Sequence, residues 1–160
     1  MLGNIYGSKG KTEKAIHHFK VALRIVSSFN SLTLWLLSHY ALVLLFARAG
    51  KFDDAHTHIE HTKLHATNSN DEYFLAQATK VQALFWHIQH RFEEAKSEAL
   101  HALNVFDKLG ASNNAEEVRG LLRQINRDAS ELDDSGKLLE TVPLVMFIDS
   151  SCSDGITGSE

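Results

Sequence analysis

Four histidines crowd one short stretch of the chain: His56, His58, His61 and His65. On a helix, His58, His61 and His65 stand three and four residues apart and share a face. His61 and His65 alone have the i, i+4 spacing that can grip a metal ion. Thr62 follows His61, where the zinc-peptidase motif needs Glu, and no Cys or carboxylate offers a third ligand. The face lies away from Ala55 and Ile59, so a solvated polar face is expected and no metal ligand set is assigned. A pH-responsive or metal-binding helical module is the alternative reading, because imidazole titrates near neutrality.

Other groups suggest chemistry and then lose it. Lys9-Gly10-Lys11-Thr12 resembles the end of a phosphate-binding loop, but the Gly required five residues before Gly10 is Ile5. That loop also follows a strand, whereas Met1 to Ser8 has a helical pattern. The acid pairs Asp53-Asp54, Glu93-Glu94 and Glu116-Glu117 are expected at helix N-termini, where they complement the macrodipole. Cys152 lies in an acidic segment that gives no cause for a lowered pKa. No nucleophile, base and oxyanion donor converge, so neither an enzyme nor a cofactor is expected.

The elements that must position these groups follow from composition and repetition. The 160 residues have room for one domain or a short array, and 44% hydrophobic with 22% charged is an ordinary globular balance. One Cys excludes an internal disulfide framework. One Pro and nine Gly are too few for a turn-rich β fold. Residues 1–127 hold 15 Lys or Arg and 12 Asp or Glu, while residues 128–160 hold one Lys and eight acids. A mildly basic body with an acidic, disordered tail is expected, and so weak a basic excess makes a nucleic-acid partner unexpected.

Gly10-Lys-Thr-Glu-Lys-Ala15 recurs as Gly50-Lys-Phe-Asp-Asp-Ala55 and again as His90-Arg-Phe-Glu-Glu-Ala95, so the closing Ala falls at 15, 55 and 95, a period of forty. Each copy reads as a turn followed by a helix start, with a base just outside that can pair with a preceding C-terminus. Three apolar stripes follow: Ala15, Phe19, Ala22, Leu23, Val26; Ala55, Ile59, Thr62, Ala66; and Ala95, Ala99, Ala102, Phe106, Leu109. Upstream helices are expected at Met1 to Ser8, Leu32 to Ala49 with a cap at Asn30 or Ser31, and Asp71 to Gln89. A seventh helix, residues 113–127, opens on the capping box Asn113-Asn-Ala-Glu116 and carries Val118, Leu121, Leu122 and Ile125. The apolar run Leu32–Ala47 has Ser38-His39-Tyr40 at its centre and is short for a bilayer, so it reads as a buried core helix and not a membrane span. The N-terminus lacks the apolar core of a secretory signal, and a cytoplasmic location is expected.

These motifs resemble the tetratricopeptide repeat family. Leu2-Gly3, Tyr6, Gly10, Ala15, Phe19 and Ala22 stand at its spacing, as do Leu42, Phe46, Gly50, Phe52, Ala55 and Ile59 in the second copy. Ala83, Trp86, Phe92, Ala95, Ala99 and Ala102 do so in the third, with His90 at the turn glycine. The family's usual period is shorter than the spacing of Ala15, Ala55 and Ala95, so longer helices or longer loops between repeats are implied. The stretches Asp53 to Lys63, His90 to Leu103 and Phe106 to Ala111, followed by Leu121-Leu-Arg-Gln-Ile125, are also similar to basidiomycete fungal arrays that often end STAND-type, NLR-like NTPases.

The resemblance implies an all-α, right-handed α-solenoid of three helix pairs, residues 1–29, 30–69 and 70–110, plus the helix 113–127 and the tail 128–160. It implies a non-catalytic scaffold that binds a protein or peptide on the concave face of the first helices. The implied groove residues are Asn4 and Ser8, then Leu37, Tyr40, Leu44 and Arg48, then Gln77, Lys80, Leu84 and His87. The chaperone-type carboxylate clamp is not expected, since Ala41, Gln77 and Val81 replace its residues and Asn4 alone matches. A sensor segment serving the NTPase module of a longer protein is the alternative. The start partway into a repeat signature is expected of a piece of a longer stack, or of a subunit that packs on another chain. Within the tail, Val142 to Ile148 is an apolar island interrupted by Pro143.

Overall fold

The computed structural model describes the backbone of residues 2–28 and 32–135 and the side chains of residues 10–28 and 32–132. Every regular element among them is helical: α1 (Leu2–Val26), α2 (Leu32–Arg48), α3 (Phe52–Asn68), α4 (Glu72–Ile88), α5 (Phe92–Lys108) and α6 (Ser112–Ser135). The expected caps Asn30 and Ser31, the apolar island and Cys152 lie outside the described residues.

The repeat has a finer grain than the sequence motif suggests. Helices α2 to α5 are each 17 residues long. The turns after them place Gly50, Asn70, His90 and Gly110 in the left-handed region, with φ of 72°, 52°, 59° and 68°. Each turn closes with the same pair of bonds. Gly50 N–H donates to Ala47 C=O and Lys51 N–H to Phe46 C=O; the equivalents run from Asp71 to Ala66, Arg91 to Trp86 and Ala111 to Phe106, at 2.8–3.1 Å. This is the Schellman arrangement, which satisfies the carbonyls of a helix end. The turn unit therefore recurs at half the spacing of the motif, once after every helix from α2 to α5. The helices are long and the turns on both sides of a pair are equally short.

Helix starts alternate in chemistry. The Asp71 carboxylate accepts from Phe74 N–H at 2.9 Å and caps α4. Neither Lys51 nor Arg91 caps with its side chain, and α3 and α5 instead carry Asp53-Asp54 and Glu93-Glu94 in their first turns. The bases outside these helices do not reach a preceding C-terminus. Lys51 bonds Glu13 of α1 at 2.6 Å, while Arg91 bonds Glu94 and stacks over the Trp86 ring at 4.0 Å.

Three expectations are corrected. First, α1 runs unbroken through Gly10, so there is no turn between Met1–Ser8 and Ala15. A single glycine inside a helix costs about 1 kcal/mol. A break there would leave an eight-residue helix, too short to sustain itself, with unbonded groups at both new ends. Six helices result among the described residues, not seven. Second, the first stripe is not a core stripe. Phe19 is 37% exposed, Ala15, Ala22, Leu23 and Val26 are half-buried, and the buried residue is Ile16. The later stripes are covered: Ala55, Ile59, Thr62 and Ala66 are buried, as are Ala95, Ala99, Ala102 and Phe106, but Leu109 is exposed beside its turn. Among the described residues α1 packs mainly on α2, whereas α3 and α5 are each held between two neighbours. Third, α6 extends to Ser135, eight residues past the expected end, and begins at Ser112. Glu116 binds Arg123 and Arg119 in place of closing a capping box, and neither it nor Glu117 is in the first turn.

Each helix packs on the next, and α4 also contacts α2 and α6. That makes α4 the most enclosed helix, with eleven of its residues buried. Two apolar clusters result. One joins Ile16, Leu42, Val43, Phe46, Ile59, Val81 and Phe85 across α1 to α4; the other joins Leu44, Leu84, Phe106, Val118, Leu121 and Ile125 across α2 and α4 to α6. The run Leu32–Ala47 is a core helix, and no described helix is long and apolar enough to cross a membrane.

Candidate functional site

The expected groove residues divide by helix. Asn4 and Ser8 lie on α1, before the residues whose side chains are described. Those of α4 are covered. Gln77, Lys80, Leu84 and His87 are all buried, and the three polar ones belong to a seam between α4 and α6. Tyr73 hydroxyl accepts from Gln77 Nε2 at 2.9 Å and donates to Asn114 Oδ1 at 3.2 Å. Lys80 Nζ lies 2.8 Å from Glu117 Oε2 and 5.9 Å from the centre of the Phe106 ring. Burial lowers the Lys80 pKa, and the charge and hydrogen bond of Glu117 push it back up. His87 Nε2 donates to Asp128 Oδ2 at 2.7 Å, and Asp128 Oδ1 accepts from Gln124. Tyr73, Lys80 and His87 are spaced by seven, so two helical turns separate successive rungs along one face of α4.

On α2 the residues are more open. Leu44 is buried in the core, Leu37 and Tyr40 are half-buried, and Arg48 is exposed. The Tyr40 hydroxyl itself is buried without a hydrogen-bond partner among the described residues, and burial raises its pKa well above the phenol range. It is therefore not a polar anchor facing solvent. Leu34, one turn before Leu37 on the same face, is 51% exposed. Leu34, Leu37, Ala41, Leu44 and Arg48 follow helical spacing and make one stripe, open at its ends and closed at Leu44.

The histidine face is solvated in large part, since His56, His61 and His65 are exposed, but His58 is half-buried and turns toward α2, where His39 is buried at 3% exposure. His39 Nδ1 lies 3.0 Å from His58 Nδ1. The Trp35 ring centre is 4.1 Å from that of His39 and 4.8 Å from that of His65, and His61 stands 6.4 Å from His39. His58 stacks on Phe46 at 5.5 Å, and Lys20 of α1 sits over the same ring. His39 has its pKa lowered to about 3, first by burial and then by His58, His61 and His65. Burial, His61 and Lys20 lower the His58 pKa, with Asp54 opposing them. No three His, Cys, Asp or Glu among the described residues are arranged to hold a metal ion. A groove of about 220 Å³ between α4 and α5, lined by Leu75, Thr79, His101 and Val105, is small for an organic ligand.

Sequence reasoning missed His39, Glu117 and Asp128 as partners. The signal for His39 was a polar trio inside an otherwise apolar helix. The signal for Asp128 was apolar Ala129 and Leu132, whose spacing continues the stripe of Val118, Leu121 and Ile125. Set against family models, curated proteins and solved structures, the chain matches none.

Proposed function

We propose that the chain is a non-catalytic, tetratricopeptide-like α-solenoid that binds a protein partner, as an extended peptide or a helix, on the face of its even-numbered helices. The recurring left-handed turn and the contacts of α4 with both α2 and α6 support a stack in two layers. In that reading the polar residues of α4 fix the spacing of the stack through α6, and binding falls to α2.

The observation that carries the site is the α2 stripe. Leu34 is 51% exposed above half-buried Leu37 and Ala41, on a helix that buries Leu36, Leu42, Val43 and Phe46 in the core. Apolar residues at this spacing, ended by the Arg48 cation, fit the apolar face of a partner helix or alternate side chains of a peptide. The test is affinity capture with a Leu34→Glu, Arg48→Glu variant beside a Leu100→Glu control on α5. Partners held by the native chain should be lost by the first and kept by the second. Loss by the control alone would move the site to α5.

A further inference from the structure

We infer that His39 and His58 form an acid-labile clasp between α2 and α3. It closes while the two facing Nδ1 atoms share one proton, and it opens when both rings are protonated, baring Leu42, Phe46 and Ile59. The clasp does not depend on the partner-binding reading.

The geometry sets the rule. A 3.0 Å contact between two imidazole nitrogens requires one N–H and one lone pair. Two imidazolium rings would instead oppose two donors and two positive charges at that distance. The surroundings offer little relief. From α3 come His58, His61 and His65, with Asp54 as the one carboxylate acting on His58. From α1 comes the Lys20 cation, over Phe46. Lys63 of α3 turns to Gln82 of α4, and the ionisable Lys80 and His87 of α4 turn to α6. Trp35 of α2 lies with its ring against His39 and His65. The clasp borders the cluster of Leu42, Val43, Phe46, Ala55 and Ile59, so opening it exposes core.

The direction of the pH effect follows. Both pKa values are lower in the folded chain than the roughly 6.5 of a free imidazole, so below that pH the open or unfolded chain binds more protons. The contribution is complete above pH ~6.5 and is lost as pH falls toward the folded pKa of His39, about 3. His39 alone raises the unfolding constant about 25-fold between pH 7 and pH 5.

Urea unfolding at pH 7 and pH 5 tests it, with the native chain, His39→Gln, and His101→Gln on α5 as a control. Expected is a rise of at least about 25-fold in the unfolding constant of the native chain and the control, cut roughly tenfold or more in His39→Gln. An equal rise in all three chains overturns the inference. Should His39→Gln fail to fold, the His39 ring resonances of the native chain decide. Titration near pH 6.5 with α2 and α3 amides still protected overturns the clasp. No titration before those amides lose protection supports it.

Discussion

His87 Nε2 lies 2.7 Å from Asp128 Oδ2, and the His87 ring is 4% exposed. One partner was expected as a groove residue and the other as the first residue of a disordered tail. Together they pin the last helix to the most enclosed one. A chain ending at residue 127 removes the carboxylate and leaves a buried donor. Its stability should fall about 2 kcal/mol below that of a chain ending at Ser135. Equal urea midpoints for the two chains would refute this role of Asp128.

The Lys80–Glu117 pair makes a different forecast. Both side chains are largely withdrawn from water, at 6% and 19% exposure. Glu117→Gln removes the carboxylate from a buried ammonium and should cost about 3 kcal/mol. Replacing both partners by apolar residues, Lys80→Met with Glu117→Leu, should cost under about 1 kcal/mol, because the desolvation of both charges disappears with them. Thermal unfolding of the two variants separates these outcomes. A double variant as unstable as the single one would mean the pair itself holds α4 to α6.

His90 occupies, with φ of 59°, the left-handed turn position that Gly50 and Gly110 fill in two of the other turns. A side chain there costs about 1 kcal/mol. His90→Gly should stabilise the chain by that amount, and Gly50→Ala should destabilise it similarly, although nothing lies within 4 Å of the added methyl. Urea midpoints at unchanged slope measure both. A His90→Gly loss would show that the ring contact of His90 with Phe92, 5.8 Å between centres, outweighs the backbone strain.

Tyr40→Phe removes a buried hydroxyl that has no partner among the described residues. The variant should be more stable by about 1 kcal/mol, since the desolvated group contributes nothing in return. A loss of similar size would point to a hydrogen bond made by that oxygen in solution.

The helices with local signals were legible from the residues. Ala55, Ile59, Thr62 and Ala66 stand three and four apart and are buried together, and the turn residues Gly50 and Gly110 mark two helix ends. Asn70 and His90 hid the shorter turn-to-turn unit, because neither reads as a turn glycine. Gly10 misled in the opposite sense: it belongs to the repeated motif but sits inside a helix. The site was less legible, since burial of a polar residue depends on what crosses it. Lys80, Gln77 and His87 have the spacing of an open helical face, and only α6 shows them covered. His39 and His58 lie nineteen positions apart, and only the turn between α2 and α3 brings their rings together.

Whether α2 carries the binding face can be read from amide hydrogen exchange on the chain with a captured partner bound. Residues 34–48 should gain protection while α3 and α5 stay unchanged. Protection gained only in α3 or α5, with residues 34–48 exchanging as in the free chain, would rule α2 out as the binding face.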